Sequence, residues 1–121
     1  MLQKFEIQGV HYPVDDSLRK YLNKKIGGLD KYLSKHNRMS AHGEVFLRET
    51  QAKDKVNSQC EVIIKLPSQE IIVKESALNM YAAVDIVEAK LKLQLKKYKE
   101  IHEIGKTQRR LFARLKLKSR E

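Results

Sequence analysis

CEVIIKLPSQEIIVKESALNMYAAVDIVEAKLKLQLKKY, residues 60–98, changes its hydrophobic period once, and that change decides the fold. Cys60, Val62, Ile64 and Leu66 alternate with Glu61, Ile63 and Lys65, and after Pro67, Ser68 and Gln69 the residues Ile71, Val73 and Glu75 alternate with Ile72 and Lys74. A period of two marks strands with one buried face, and a short break built on proline and serine predicts a hairpin. From about Ala77 the period becomes helical. At 100° per residue Met80, Val84, Val87, Leu91, Leu95 and Tyr98 fall within about 80° of one another, which predicts a long helix with a core-facing stripe. Ile86 and Leu93 point away from that stripe, with Lys90 and Lys97 on one flank and Lys92, Lys96 and Lys99 on the other.

Upstream, Phe5 and Ile7 alternate with Glu6 and Gln8 until Gly9, a first strand. Asp15 and Asp16 then mark a helix start, because a carboxylate there accepts unpaired first-turn amide protons and complements the positive helix end. Leu18, Leu22, Ile26, Leu29 and Leu33 continue at helical spacing, so the sequence predicts a helix over residues 16–33. Gly27 and Gly28 lie within it, and each costs about 1 kcal/mol relative to alanine, so a bend or a close contact is expected there. A polar stretch over 34–40 precedes a strand over 41–49 and a loop over 50–55. The order β-α-β-β-β-α predicts an α+β architecture, with a four-stranded sheet carrying two helices on one face. A chain of 121 residues suits one such domain, over 1–100, followed by a basic extension over 101–121.

Charge is divided unevenly. Residues 1–89 hold 13 Lys+Arg against 12 Asp+Glu, whereas residues 90–121 hold 12 against 3, so the net charge of +10 is a C-terminal property. Between Lys106 and Arg120 seven basic residues, Arg109 and Arg110 among them, meet no acidic one. A block of this kind attracts polyanions, with nucleic acid the leading partner; an anionic membrane surface and a merely solubilising tail are the alternatives. The single cysteine, Cys60, permits no internal disulfide and favours a reducing compartment such as the cytoplasm. No apolar run approaches the length of a membrane span.

Catalytic and metal chemistry need convergent reactive groups, and few candidates exist. His11, His36, His42 and His102 sit on different elements with no pair spaced to share a helix face, so no metal site is expected. Cys60 faces the core from a strand, where a thiol behaves as a small hydrophobe. No phosphate-cradling glycine loop or dinucleotide fingerprint occurs, and Asp85 and Glu88 read as solvated helix charges. No enzyme activity, cofactor or small-molecule substrate is expected.

The segment NMYAAVD, residues 79–85, followed by KLKLQLKKYK, residues 90–99, resembles the last helix of the ribosome-hibernation promoting factors and the related ribosome-associated inhibitor protein. FEIQG, DDSLRKYLNKKI, LDKYL and VIIKLPSQEIIVKE follow in that family's order and near its spacing, so the resemblance covers about residues 2–100. It implies a sheet-and-two-helix fold similar to a double-stranded-RNA-binding domain. It also implies a protein, monomeric off the ribosome, that enters the messenger and transfer-RNA channel of the small subunit and contacts ribosomal RNA. Translation is then idled in stationary phase or stress without any catalysed reaction. Lys25 and Lys31 match basic positions of the family's first helix, and Lys90 and Lys97 match those of its second. Met80 and Tyr81 match its signature pair. Met80 belongs to the core stripe, while Tyr81 either stacks on a base or covers the sheet edge.

Two departures qualify the transfer. Gly28 and Leu93 stand where relatives commonly carry basic residues; Lys24, Lys92 and Lys96 offer charge at neighbouring positions, and phosphate attraction tolerates such shifts. The chain also lacks, within its 121 residues, the linker and second domain of the long family form, and so resembles the short form. Two other readings stand beside this one. A general structured-RNA-binding module would use the same cations, and a protein-interaction modulator of transcription would use exposed apolar residues such as Ile86 and Leu93.

Overall fold

The computed structural model describes residues 4–52 and 55–103. Four strands, β1 (Lys4–Gly9), β2 (His42–Ala52), β3 (Lys55–Lys65) and β4 (Glu70–Ala77), form one sheet in the order β1-β2-β3-β4. β1 runs parallel to β2, with Ile7 opposite Val45, and the remaining pairs are antiparallel. Parallel neighbours need a crossover, and α1 (Asp16–Lys25) lies within the connection from β1 to β2. That connection leaves β1 through a tight corner: a Cβ on Gly9 would lie 1.9 Å from the Tyr12 carbonyl oxygen, and His11 adopts φ 53°. Only glycine lets the chain double back so closely.

One face of the sheet carries the helices. Val45 and Leu47 of β2, Cys60, Val62 and Ile64 of β3, and Ile71 and Val73 of β4 are all buried. Against them pack Leu18 and Leu22 of α1 and the full stripe of α3 (Met80–Tyr98), in which Met80, Val84, Val87, Leu91, Leu95 and Tyr98 are no more than 2% exposed. The expected α+β class, the four-stranded sheet and the placement of both long helices on one face therefore hold. At about 25 cal/mol per Å² of apolar surface buried, this shared core, and not helix propensity, dominates the stability of both helices.

Element ends follow local chemistry. Asp15 accepts a hydrogen bond from the Leu18 amide at 2.7 Å, and Asn79 accepts one from Ala82 at 2.9 Å, so each long helix begins on a side-chain cap. The Ser68 hydroxyl donates to the Tyr98 hydroxyl at 3.2 Å, which ties the end of α3 to the β3–β4 turn. A π-helical turn, Lys99–Glu103, follows α3.

The first helix is shorter than the apolar spacing predicts. α1 stops at Lys25, and the chain tightens into a 3-10 helix over Gly27–Tyr32. The paired glycines supply the reason, since they weaken α-helical continuation while Leu29 and Leu33 still reach the core at 3% and 2% exposure. The polar stretch beyond contains a further short helix, α2 (Lys35–Ser40), capped by Ser34, whose hydroxyl accepts from the Asn37 amide at 3.3 Å. The strands β2 and β3 also run further than expected, pairing out to Ala52 with Lys55.

Candidate nucleic-acid interface

The tightening at Gly27 turns the 3-10 helix so that its one cation, Lys31, and Tyr32 face α3. Lys24 and Lys25 lie in the last turn of α1, Lys31 and Tyr32 in the 3-10 helix, and Lys92 and Lys96 one turn apart on α3. Tyr32 joins the two sides: the Nζ atoms of Lys31, Lys92 and Lys96 stand 5.3, 5.7 and 5.6 Å from its ring centroid. Each such interaction is worth about 0.5–1 kcal/mol at an exposed site, enough to offset part of the repulsion among ammonium groups gathered around one ring. Beside it lies a depression of about 120 Å³ lined by Lys24, Lys25, Gly28, Lys31, Tyr32 and Lys92. Glu88 also borders it, 3.9 Å from Lys25. A cleft in which cations outnumber carboxylates so heavily is suited to an anion with several oxygens, such as a phosphate diester.

An aromatic cluster continues the same groove towards the start of α3. Lys25 Nζ lies 5.6 Å from the Tyr21 ring centroid, and Tyr21 meets Tyr81 edge to face, centroids 4.9 Å apart at 68°. The Tyr21 hydroxyl donates a hydrogen bond to Asp85. That carboxylate bond, helped by burial and by the charge of Asp85 and Glu88, pushes the Tyr21 phenol up to about 12. The ring therefore stays neutral and fixed throughout the physiological range.

Not every expected residue joins this groove. Lys24, Lys25, Lys31, Lys92 and Lys96 converge, and Tyr81 heads the same side of α3. Lys90 and Lys97 lie on the opposite flank. Lys90 pairs with Glu75 of β4, while Lys97 borders a separate depression with Gln69, Gln94, Tyr98 and Ile101. The two positions that match the family's second helix are thus separated from the two that match its first, and the neighbouring Lys92 and Lys96 face them instead. Arg109 and Arg110 lie outside the described residues. Sequence reasoning gave Tyr32 no role; an aromatic directly after Lys31 within LDKYL was the available signal. Ile86 and Leu93 are 38% and 68% exposed, as expected from their place opposite the stripe.

The sheet's other face holds one grouping that residue spacing did not reveal. Parallel register sets Glu6 opposite Glu44, and the possible ligand atoms of Glu6, His42 and Glu44 lie within 4.8 Å of one another. Lys65 Nζ stands 3.4 Å from Glu44, so an ammonium already supplies opposing charge. Cys60 is fully buried, and desolvation, with a smaller contribution from Glu61, pushes its thiol up to about 12. It is a core atom and a poor nucleophile. No helix among the described residues is long and apolar enough to cross a membrane.

Comparison with known proteins adds a lineage to this geometry. The chain is 32% identical over 98 residues to a ribosome hibernation promotion factor of Lactococcus lactis subsp. cremoris, covering 79% of this chain and 49% of that protein. It is 30% identical over 98 residues to a protein of the same name from Staphylococcus aureus, covering 79% of this chain and 48% of the relative. The chain therefore spans about half the length of these relatives. Among solved structures, the N-terminal domain of Thermus thermophilus Protein Y superposes with a TM-score of 0.63 at 26% identity, covering 81% of this chain and 99% of that one. A ribosomal subunit interface protein from Coxiella burnetii shares the fold, with a TM-score of 0.65 at 22% identity over 80% of this chain and 98% of the other. Residues 5–103 match the sequence profile of one family, and on that match the chain belongs to the Sigma 54 modulation protein / S30EA ribosomal protein family.

Proposed function

We propose that this chain is a ribosome hibernation factor that seats the groove between α1 and α3 against ribosomal RNA in the messenger and transfer-RNA channel of the small subunit. Occupying that channel excludes both ligands and holds translation idle under stress or in stationary phase. The observation that carries the reading is the convergence of Lys31, Lys92 and Lys96 around Tyr32, with Lys24 and Lys25 lining the adjoining depression. The family membership and the names of the relatives supply the ribosomal context. Cation geometry of this kind binds phosphate oxygens without reading base identity, as a channel wall of folded RNA requires. Lys90 and Lys97 add positive field from the far flank of α3. The basic segment after the domain, with Arg109 and Arg110, adds further binding to RNA phosphates. On this reading the protein works in the cytoplasm as a monomer until it meets the ribosome, and it performs no reaction.

Co-sedimentation with purified small subunits at low and high salt tests the reading. Wild type is expected to pellet with the subunits in dilute buffer, to be released as salt rises, and to be displaced by messenger or transfer RNA. A Lys92→Glu plus Lys96→Glu variant is expected to stay in the supernatant. Equal pelleting of that variant, or indifference of the wild type to small subunits, would overturn it.

A further inference from the structure

We propose that the Tyr81 ring is a stacking platform for an unpaired RNA base, so that the groove between α1 and α3 takes a single strand and not a duplex. The proposal rests on the RNA-binding function proposed for the groove and names the form of RNA that the groove accepts.

Three features of the cluster point the same way. Tyr81 is 40% exposed and is the only exposed tyrosine or phenylalanine among the described residues. Its partner Tyr21 packs half-buried against the core, whereas Tyr81 is not among the side chains packed there. Tyr21 also reaches past Tyr81 to Asp85, one turn further along α3, and the hydrogen bond there fixes the ring that braces Tyr81. A braced aromatic loses little side-chain freedom when a base settles on it.

Charge changes sign along the same face of α3. Tyr81, Asp85, Glu88, Lys92 and Lys96 follow one another at helical spacing. The upper half thus carries two carboxylates, engaged by Tyr21 and Lys25, and the lower half carries the cations around Tyr32. Phosphates are drawn to the lower half. Near Tyr81 the field favours a neutral group with a flat face, which is what an unstacked base offers. From Tyr81 to Lys92 is about 16 Å along the helix axis, room for a few nucleotides whose bases and phosphates meet different halves. A duplex cannot use the platform, since its bases are already stacked and its recognition depends on shape and on backbone contacts across successive grooves.

Fluorescence anisotropy with a short single-stranded RNA, and with the same sequence closed into a hairpin duplex, tests this in the 121-residue chain. Placing 2-aminopurine within the single strand reports stacking directly through quenching. Wild type is expected to bind the single strand more tightly than the duplex and to quench the probe. Tyr81→Leu keeps apolar cover over Tyr21 but removes the flat ring. It is expected to lose the quenching and about 5- to 100-fold in affinity for the single strand, with an unchanged salt slope, while Tyr81→Phe retains both. Unchanged quenching and affinity in Tyr81→Leu would overturn the platform while leaving the lysine groove standing. Affinity for both RNAs that is untouched by Lys92→Glu plus Lys96→Glu would instead overturn the reading on which it rests.

Discussion

Gly28 borders the basic depression at a position where the resemblance leads one to expect a cation, and nothing lies within 4 Å of where its Cβ would stand. Its φ is not in the left-handed region, so a side chain can be added there without strain. Gly28→Lys is expected to leave stability within about 1 kcal/mol of wild type or slightly above it in urea titrations, because restricting the unfolded chain offsets the added repulsion. The same change is expected to raise the slope of log affinity against log salt by about 0.7–0.9, the effect of neutralising one further phosphate. A fall in stability of several kcal/mol would show that the groove floor is closed after all. Cys60 makes a separate point about the core. Its thiol is held protonated up to about pH 12, whereas in the unfolded chain a thiol ionises near about 8.5. Between those values the unfolded state binds fewer protons than the native state, so stability falls as pH rises through that window. Wild type is therefore expected to lose stability relative to Cys60→Ala as the pH is raised from about 8 to about 10 in urea titrations. Its thiol is expected to react with a disulfide reagent only as fast as the protein unfolds.

At the scale of elements, α3 has two unlike flanks. Lys92 and Lys96 look across to Tyr32, while Lys90 is engaged by Glu75, which projects from the helix-bearing face of β4. Reversing both charges on the groove side is expected to weaken small-subunit binding strongly and to lower the salt slope by about 1.4–1.8, as when two phosphates are left without their cations. The matching pair, Lys90→Glu plus Lys97→Glu, is expected to have the smaller effect, with part of it arising from repulsion between the new residue 90 carboxylate and Glu75. An equal weakening by the two pairs would place the RNA across the exposed face of α3 instead of in the groove. The flanks of α3 were legible from a single helical period because one straight helix fixes every angle about its axis. The partner across the groove was not, since the α-to-3-10 change at Gly27 rotates Lys31 and Tyr32 by an amount that no repeating period encodes. Helix α2 escaped for a related reason: six residues over Lys35–Ser40 are too few to display a period, and only the Ser34 cap marks their start. The pairing of Glu6 with Glu44 depends on the register of strands far apart in the chain, which local alternation leaves undetermined.

Across the whole molecule, residues 1–89 are nearly neutral and residues 90–121 hold 12 basic residues against 3 acidic ones, so the positive field is carried on one long helix and the segment after it. The groove supplies geometry, and the terminal segment supplies much of the charge. Attraction to RNA through the field falls steeply with salt, whereas a fixed arrangement of lysines around Tyr32 persists until its own charges are screened. Removing residues 106–121 deletes seven basic residues and the acidic Glu121. The truncated chain is expected to associate with small subunits more slowly at low salt. Its salt slope is expected to be flatter by up to about 0.7–0.9 for every phosphate that the segment would otherwise neutralise. If the slope and the association rate both stay at wild-type values, the terminal segment does not touch RNA and the groove accounts for binding by itself. If binding disappears at every salt concentration, the order of importance is reversed, and the lysines around Tyr32 only refine a complex that the terminal segment forms.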